Sequence, residues 1–148
     1  NAAIQVLELP TFEQVAEWKH NTTAIPQQIR ILRDIINHIK EETQSTGSNI
    51  YWSVENNTIG ESALLVINDF GEENIPGMFV SEPIRKGHIR KFRKGFNTTF
   101  KHKISSCAKF KQLIEEDKMT ISSKNLLSEL KNFVATGTSC VKACSMFI

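Results

Sequence analysis

From Asn49 to Glu55 the chain alternates apolar and polar residues, with Ile50, Trp52 and Val54 on one face and Tyr51, Ser53 and Glu55 on the other. A period of two is the pattern of a half-buried strand. Thr58-Ile59-Gly60-Glu61 follows almost at once and reads as a capping box at the start of a helix. That helix is predicted to run to about Phe70, and it carries the apolar run Ala63-Leu64-Leu65-Val66-Ile67. A run of this kind suits a helix buried against a sheet. A strand that passes within three residues into such a helix confines the chain to folds that layer helices on a sheet.

The rest of the chain fits that class. Ala3–Leu9 alternates loosely and ends at Pro10, and Phe12–Trp18 is a second strand candidate whose Phe12, Val15 and Trp18 fit alternation imperfectly. The two would form a hairpin turning at Leu9-Pro10-Thr11. Pro26 then opens an amphipathic helix whose buried face is Ile25, Ile29, Leu32, Ile36 and Ile39, and Ser45-Thr46-Gly47-Ser48 ends it. Met78–Ser81 reads as a short strand, and Gly87 and Gly95 mark turns. Thr98–Glu116 reads as a helix with Phe100, Ile104, Cys107, Ala108 and Ile114 on one face. Lys118–Ile121 is a short strand candidate. Ser123 is placed to cap a last helix carrying Leu126, Leu127, Leu130 and Phe133, and Phe133–Ala135 to begin another strand. Strands alternate with helices after an opening hairpin, which predicts an α/β fold.

The 148 residues suit one domain of ordinary size. No apolar run approaches the roughly 20 residues of a membrane span, so no membrane association is expected. The first residues already read as a strand, as in a piece excised from a longer protein. Three cysteines, Cys107, Cys140 and Cys144, are too few and too isolated for a disulfide scaffold or a zinc site. Cys107 is expected as a small core residue on its helix. His20, His38, His88 and His102 lack metal-ligand spacing; His38 is expected on a solvated face and His88 and His102 on the basic surface. Sequons at Asn21, Asn56 and Asn97 are read as chance occurrences. No Gly-rich phosphate loop of the Walker type is present.

Net charge is only +2, but 8 of the 18 Lys and Arg fall within the 19 residues Arg85–Lys103, which contain no Asp or Glu. These eight are Arg85, Lys86, Arg90, Lys91, Arg93, Lys94, Lys101 and Lys103. A polyanion such as double-stranded DNA is the natural partner, and a solvated surface is the plain alternative. Neutralising Arg90, Lys91, Arg93 and Lys94 together separates the two. Glu55 is the candidate for chemistry. A carboxylate at a strand end can hold a divalent ion, and two ions about 4 Å apart can activate water and stabilise the leaving oxygen of a phosphodiester. An exposed polar residue at a strand end is the competing reading.

Several segments taken together resemble the nuclease domain of the large terminase subunit of tailed bacteriophages. Tyr51-Trp52-Ser53-Val54-Glu55-Asn56-Asn57 resembles its strand-end V-E-x-N segment, and Gly60, the apolar helix after it and Arg85-Lys86-Gly87 continue the likeness. Arg93-Lys94-Gly95-Phe96-Asn97-Thr98-Thr99 resembles a G-x-x-T segment leading into a Lys-containing helix. Ile121–Val134 resembles an S-x-x-L-I-x-E-L-x-x-F segment. The resemblance runs to about Thr138, giving a nuclease-like domain over residues 1–138 and a divergent tail over 139–148. It implies an RNase H-like mixed sheet flanked by helices, and a metal-dependent endodeoxyribonuclease acting on concematers of viral DNA during packaging in the bacterial host cytoplasm. It implies Glu55 as a catalytic, metal-binding carboxylate for Mg²⁺ or Mn²⁺. Partners would be double-stranded DNA and, in the full-length protein, the small terminase subunit and the portal ring.

The chain also departs from the family. The family's first catalytic Asp lies on a strand before the opening hairpin, and that strand is expected to be missing here. Its last metal-binding Asp follows the segment matched by Gly137-Thr138-Ser139, whereas the tail from Cys140 to Ile148 holds no acid. The Asp residues are Asp34, Asp69 and Asp117; only Asp69, with Glu72, is near enough in sequence to keep in view. With one of three ligands left, the truncated domain is expected to be inactive or nearly so. The alternative is a non-catalytic DNA-binding module built on residues 85–103, with binding that falls steeply with salt and needs no metal. The sheet edge left by the missing strand would favour a homodimer.

Overall fold

The computed structural model describes residues 2–82 and 94–131 of the chain. It divides into two compact units, one of residues up to His20 together with those from Thr98 on, the other spanning Asn21–Asn97. Among the described residues there are four α-helices and two two-stranded sheets, one antiparallel and one parallel, which makes a mixed α/β architecture.

In the first unit, β1 (Ala2–Glu8) and β2 (Glu13–His20) pair antiparallel as the expected hairpin. The Leu9–Pro10 peptide bond at its turn is cis. Phe12 takes a positive φ of 53°, so β2 begins one residue later than the sequence suggests. A register shift at Val6/Leu7 leaves Val15 54% exposed, and Gln14 takes the buried position instead. The imperfect fit of Phe12, Val15 and Trp18 to a period of two has its reason here, because the bulge puts the residues before and after it on opposite faces. Helix α3 (Phe100–Glu115) is capped by Thr99, whose Oγ1 accepts the backbone N–H of His102 at 3.2 Å. Its apolar face was expected to be buried, yet none of its residues is: Phe100, Ile104 and Ile114 are exposed, and Cys107 is half-buried rather than a core residue. The strand expected over Lys118–Ile121 reduces to a single parallel bridge between Thr120 and Glu13. Helix α4 (Lys124–Lys131) starts as read, with Ser123 Oγ accepting the Leu126 N–H at 3.0 Å and Leu126 buried. Phe133, and the strand expected from it, lie outside the described residues.

Glu116 closes α3. Its carboxylate accepts from Lys118 Nζ at 2.7 Å and from Gln112 Nε2 at 2.6 Å. These donors, Lys118 foremost, favour the charged form and hold the carboxyl below its ordinary 4.5. A depressed folded-state value means the pair stabilises the folded chain above pH 4.5 and stops doing so as pH falls through the lowered value. An NMR titration of the Glu116 side chain should therefore give a midpoint below 4.5 that returns toward it in Lys118→Ala. An unshifted midpoint in the unaltered chain would contradict this.

In the second unit, α1 (Ile25–Glu42) starts with Pro26 in its first turn and buries Ile29, Leu32 and Ile36, with Ile25 and Ile39 half-buried at either end. His38 is exposed, as its position on the polar face requires. Helix α2 (Thr58–Phe70) packs on α1. Arg33 lies over the Phe70 ring, 5.6 Å from its centroid. Only one side of the apolar run is buried: Ala63 and Ile67, four residues apart, face inward, while Leu65 is 67% exposed. Five consecutive apolar residues wind round a helix and cannot share one face. The residue before the helix is Asn57, not Thr58, and it makes no side-chain cap hydrogen bond, so the expected capping box does not form.

Strand β3 (Tyr51–Trp52) pairs parallel with β4 (Met78–Phe79). The regular pairing is shorter than the alternation suggests, but the alternation itself holds to Asn56: Trp52, Val54 and Asn56 are buried while Tyr51 is exposed. The extended segment simply changes partner. Its first half bonds to β4, through Met78 N–H to Ile50 O and Val80 N–H to Trp52 O, each at 2.8 Å. Its second half bonds to residues 94–96.

Candidate metal-binding carboxylate

Glu55 sits where those two pairings meet the start of α2. It forms a parallel bridge with Phe96. Phe96 N–H donates to Val54 O at 3.0 Å, and Asn56 N–H donates to Phe96 O at 2.7 Å. The Asn56 side chain is buried and donates to Lys94 O at 3.0 Å. On the far side of the short segment, Ser53 Oγ donates to Val80 O at 2.7 Å and Gly95 N–H donates to Ser81 Oγ at 3.1 Å. The strand end is thus stitched to both neighbours by main-chain and side-chain bonds.

Two glycines permit this packing. Gly95 has φ +80°, a conformation that L side chains rarely adopt, and a Cβ there would also strike Val54 O. Gly60, in the first turn of α2, lies so close to the Glu55 carbonyl that a Cβ would coincide with its oxygen. The helix therefore begins directly against the residue that carries the carboxylate. Sequence reading placed Gly60 only within a capping box and a family pattern; its contact with Glu55 is a close approach that no periodicity reveals.

The Glu55 side chain is half-buried, and its Oε1 accepts from Asn57 Nδ2 at 2.6 Å. Asn57 is a functional candidate that the sequence reading passed over, although it closes the V-E-x-N segment. One carboxylate oxygen is oriented by this bond and Oε2 has no hydrogen-bond partner among the described residues, which suits one ligand of a hard divalent ion. One ligand does not make an ion site. Among the described residues no three His, Cys, Asp or Glu side chains gather to hold a metal. Asp69 is exposed on α2, and Glu72 is ion-paired with Lys94. The residues present fit a contribution to a metal centre, not a whole one.

Of the eight basic candidates, Lys94, Lys101 and Lys103 are described; Arg85, Lys86, Arg90, Lys91 and Arg93 lie outside the described residues. Lys94 belongs to the second unit and is committed to Glu72, with Nζ 6.0 Å from the Phe79 ring centroid. Lys101 and Lys103 lie in the first turn of α3, in the first unit. No described helix is long and apolar enough to cross a membrane.

The model of one protein family, the terminase RNase H-like domain, matches residues 1–147, and the chain belongs to that family. No match was found among curated proteins or among solved structures.

Proposed function

We propose that this chain contributes Glu55 to the metal-dependent cutting of concatemeric double-stranded DNA during phage genome packaging, and that alone it cuts DNA little or not at all. The observation that carries the reading is the fixed Glu55: a carboxylate clamped at a strand end in a terminase RNase H-like domain, with one oxygen oriented by Asn57 and the other open. A bound Mg²⁺ or Mn²⁺ would supply Lewis-acid activation of water and of the phosphodiester. The chain's own part is to hold Glu55 still. The low activity is argued from the site: among the described residues no three His, Cys, Asp or Glu side chains gather to hold a metal around Glu55.

DNA would be gripped by Arg85, Lys86, Arg90, Lys91, Arg93, Lys101 and Lys103, with Lys94 set apart by its ion pair with Glu72. The small terminase subunit and the portal would be the protein partners in the packaging machine, in the bacterial cytoplasm, and pairing through an open sheet edge would make a homodimer. The test is cleavage of linear duplex DNA by the purified chain in Mg²⁺ and in Mn²⁺. No cleavage above the metal-only control is expected. Metal-dependent cleavage that disappears in Glu55→Ala would sink the inactivity and keep Glu55 as a ligand; cleavage that survives Glu55→Ala would sink the assignment of Glu55. Salt-dependent binding without metal or cleavage would favour a DNA-binding module.

A further inference from the structure

We infer that Lys94 is a positioning residue for the Glu55 strand end rather than a contact to DNA phosphate. Lys94 is engaged at both of its polar ends. Its main-chain carbonyl accepts from the buried Asn56 side chain at 3.0 Å, next to Glu55. Its ammonium is ion-paired with Glu72, in the 3-10 turn Glu72–Asn74, and lies 6.0 Å from the centroid of the Phe79 ring on β4. The residue thus ties three things together: the strand end, the turn that follows α2, and the second strand of the parallel pair. Two residues on, Phe96 makes the two main-chain bonds that fix Val54 and Asn56 on either side of Glu55. Reaching a phosphate would require Lys94 to give up Glu72, and a carboxylate beside the ammonium would repel the incoming anion.

The pair is part-exposed, 44% for the Lys94 side chain and 37% for Glu72, so water screens it and its effect is modest. It should change local opening by about two- to fivefold rather than unfold the chain. The inference rests on the proposed role of Glu55 only for its importance to cleavage; the tether is tested without metal.

The experiment is amide hydrogen exchange of Asn56 and Phe96, run alongside the salt dependence of duplex DNA binding, on Lys94→Met and Glu72→Gln. Methionine keeps an apolar stem against Phe79 and removes the charge. Both variants should lose protection at these two amides by a similar factor, about two- to fivefold, and Lys94→Met should leave the salt slope of DNA binding unchanged. Unchanged protection in Lys94→Met would overturn the inference, and so would a slope lowered by about 0.9, the signature of one lost phosphate contact. If the chain binds no DNA, the DNA reading fails separately and amide protection alone decides the role of Lys94.

Discussion

Replacing Gly60 with alanine should cost the folded chain about 3 kcal/mol, at the upper end of what overpacking usually costs. The added methyl would land on the Glu55 carbonyl oxygen, with the carbonyl carbon 2.7 Å away and Val54 Cγ1 at 3.9 Å. The obstacle is backbone, already held by the bridge to Phe96, so no flexible side-chain end can swing aside. Either α2 lifts at its first turn or the Glu55 strand end moves. For a chain of this size the melting temperature should fall by roughly 6–12 °C. Gly47→Ala supplies the comparison. Gly47 has φ +91°, but a Cβ there would find its nearest neighbour at 3.6 Å, an ordinary contact. Only backbone strain opposes that change, about 1–2 kcal/mol. Thermal melts should therefore rank Gly60→Ala as the more damaging. The reverse order would mean that α2 does not begin against Glu55. The same substitution displaces the proposed metal ligand, so in any assembly where cleavage occurs it should fall with stability.

How much of this was legible beforehand depended on the range of the interaction involved. The buried face of α1 was readable because Ile29, Leu32 and Ile36 repeat at helical spacing, and a local rule decides which face turns inward. Ser123 was readable as a cap for the same reason: its partner, the Leu126 N–H, is three residues away. The alternation through Trp52 and Val54 correctly gave the buried side of the strand at Glu55. Its pairing was not readable, because the segment splits its bonds between β4 and residues 94–96, which lie far along the chain. Local rules also erred at the start of α2. With Asn57 at the N-cap, Glu61 lies one residue too far into the helix to complete a capping box, and the Asn57 amide bonds to Glu55 instead. The bulge at Val15 reversed the face of β2 without any Gly or Pro to announce it. Family membership was legible through the order and spacing of weak segments, none of them sufficient singly. The side chains around Glu55 were not, since Asn57, Gly60 and Lys94 act through contacts set by the fold.

Gln14→Leu should be a damaging change in the other unit, costing about 1–3 kcal/mol, because it leaves two N–H groups of a part-buried network without the oxygen that accepts them. Gln14 is only 4% exposed. Its Oε1 accepts the backbone N–H of Ser122 at 3.0 Å and of Ser123 at 2.9 Å, and its Nε2 donates to Gln5 Oε1. Gln5 in turn donates to Glu17 Oε1 at 2.8 Å, and Ser123 Oγ donates to Glu17 Oε2 at 2.6 Å. Main-chain bonds run alongside, from Gln14 N–H to Thr120 O at 2.9 Å and from Thr120 N–H to Phe12 O at 3.2 Å. This closed network joins the hairpin to the N-terminus of α4, residues more than 100 apart in sequence. Leucine nearly matches glutamine in size, so the loss would come from polar groups left without partners and not from a cavity. Val15→Ala, one residue on but exposed, should stay within about 0.5 kcal/mol. Denaturant melts of the two variants measure the contrast, and amide exchange at Ser122 and Ser123 locates it. If Gln14→Leu were as mild as Val15→Ala, water would be satisfying those two amides and the network would not be what holds α4 to the hairpin. If the cost appears with exchange lost at Ser122 and Ser123, a buried polar residue of the hairpin is what anchors the last described helix.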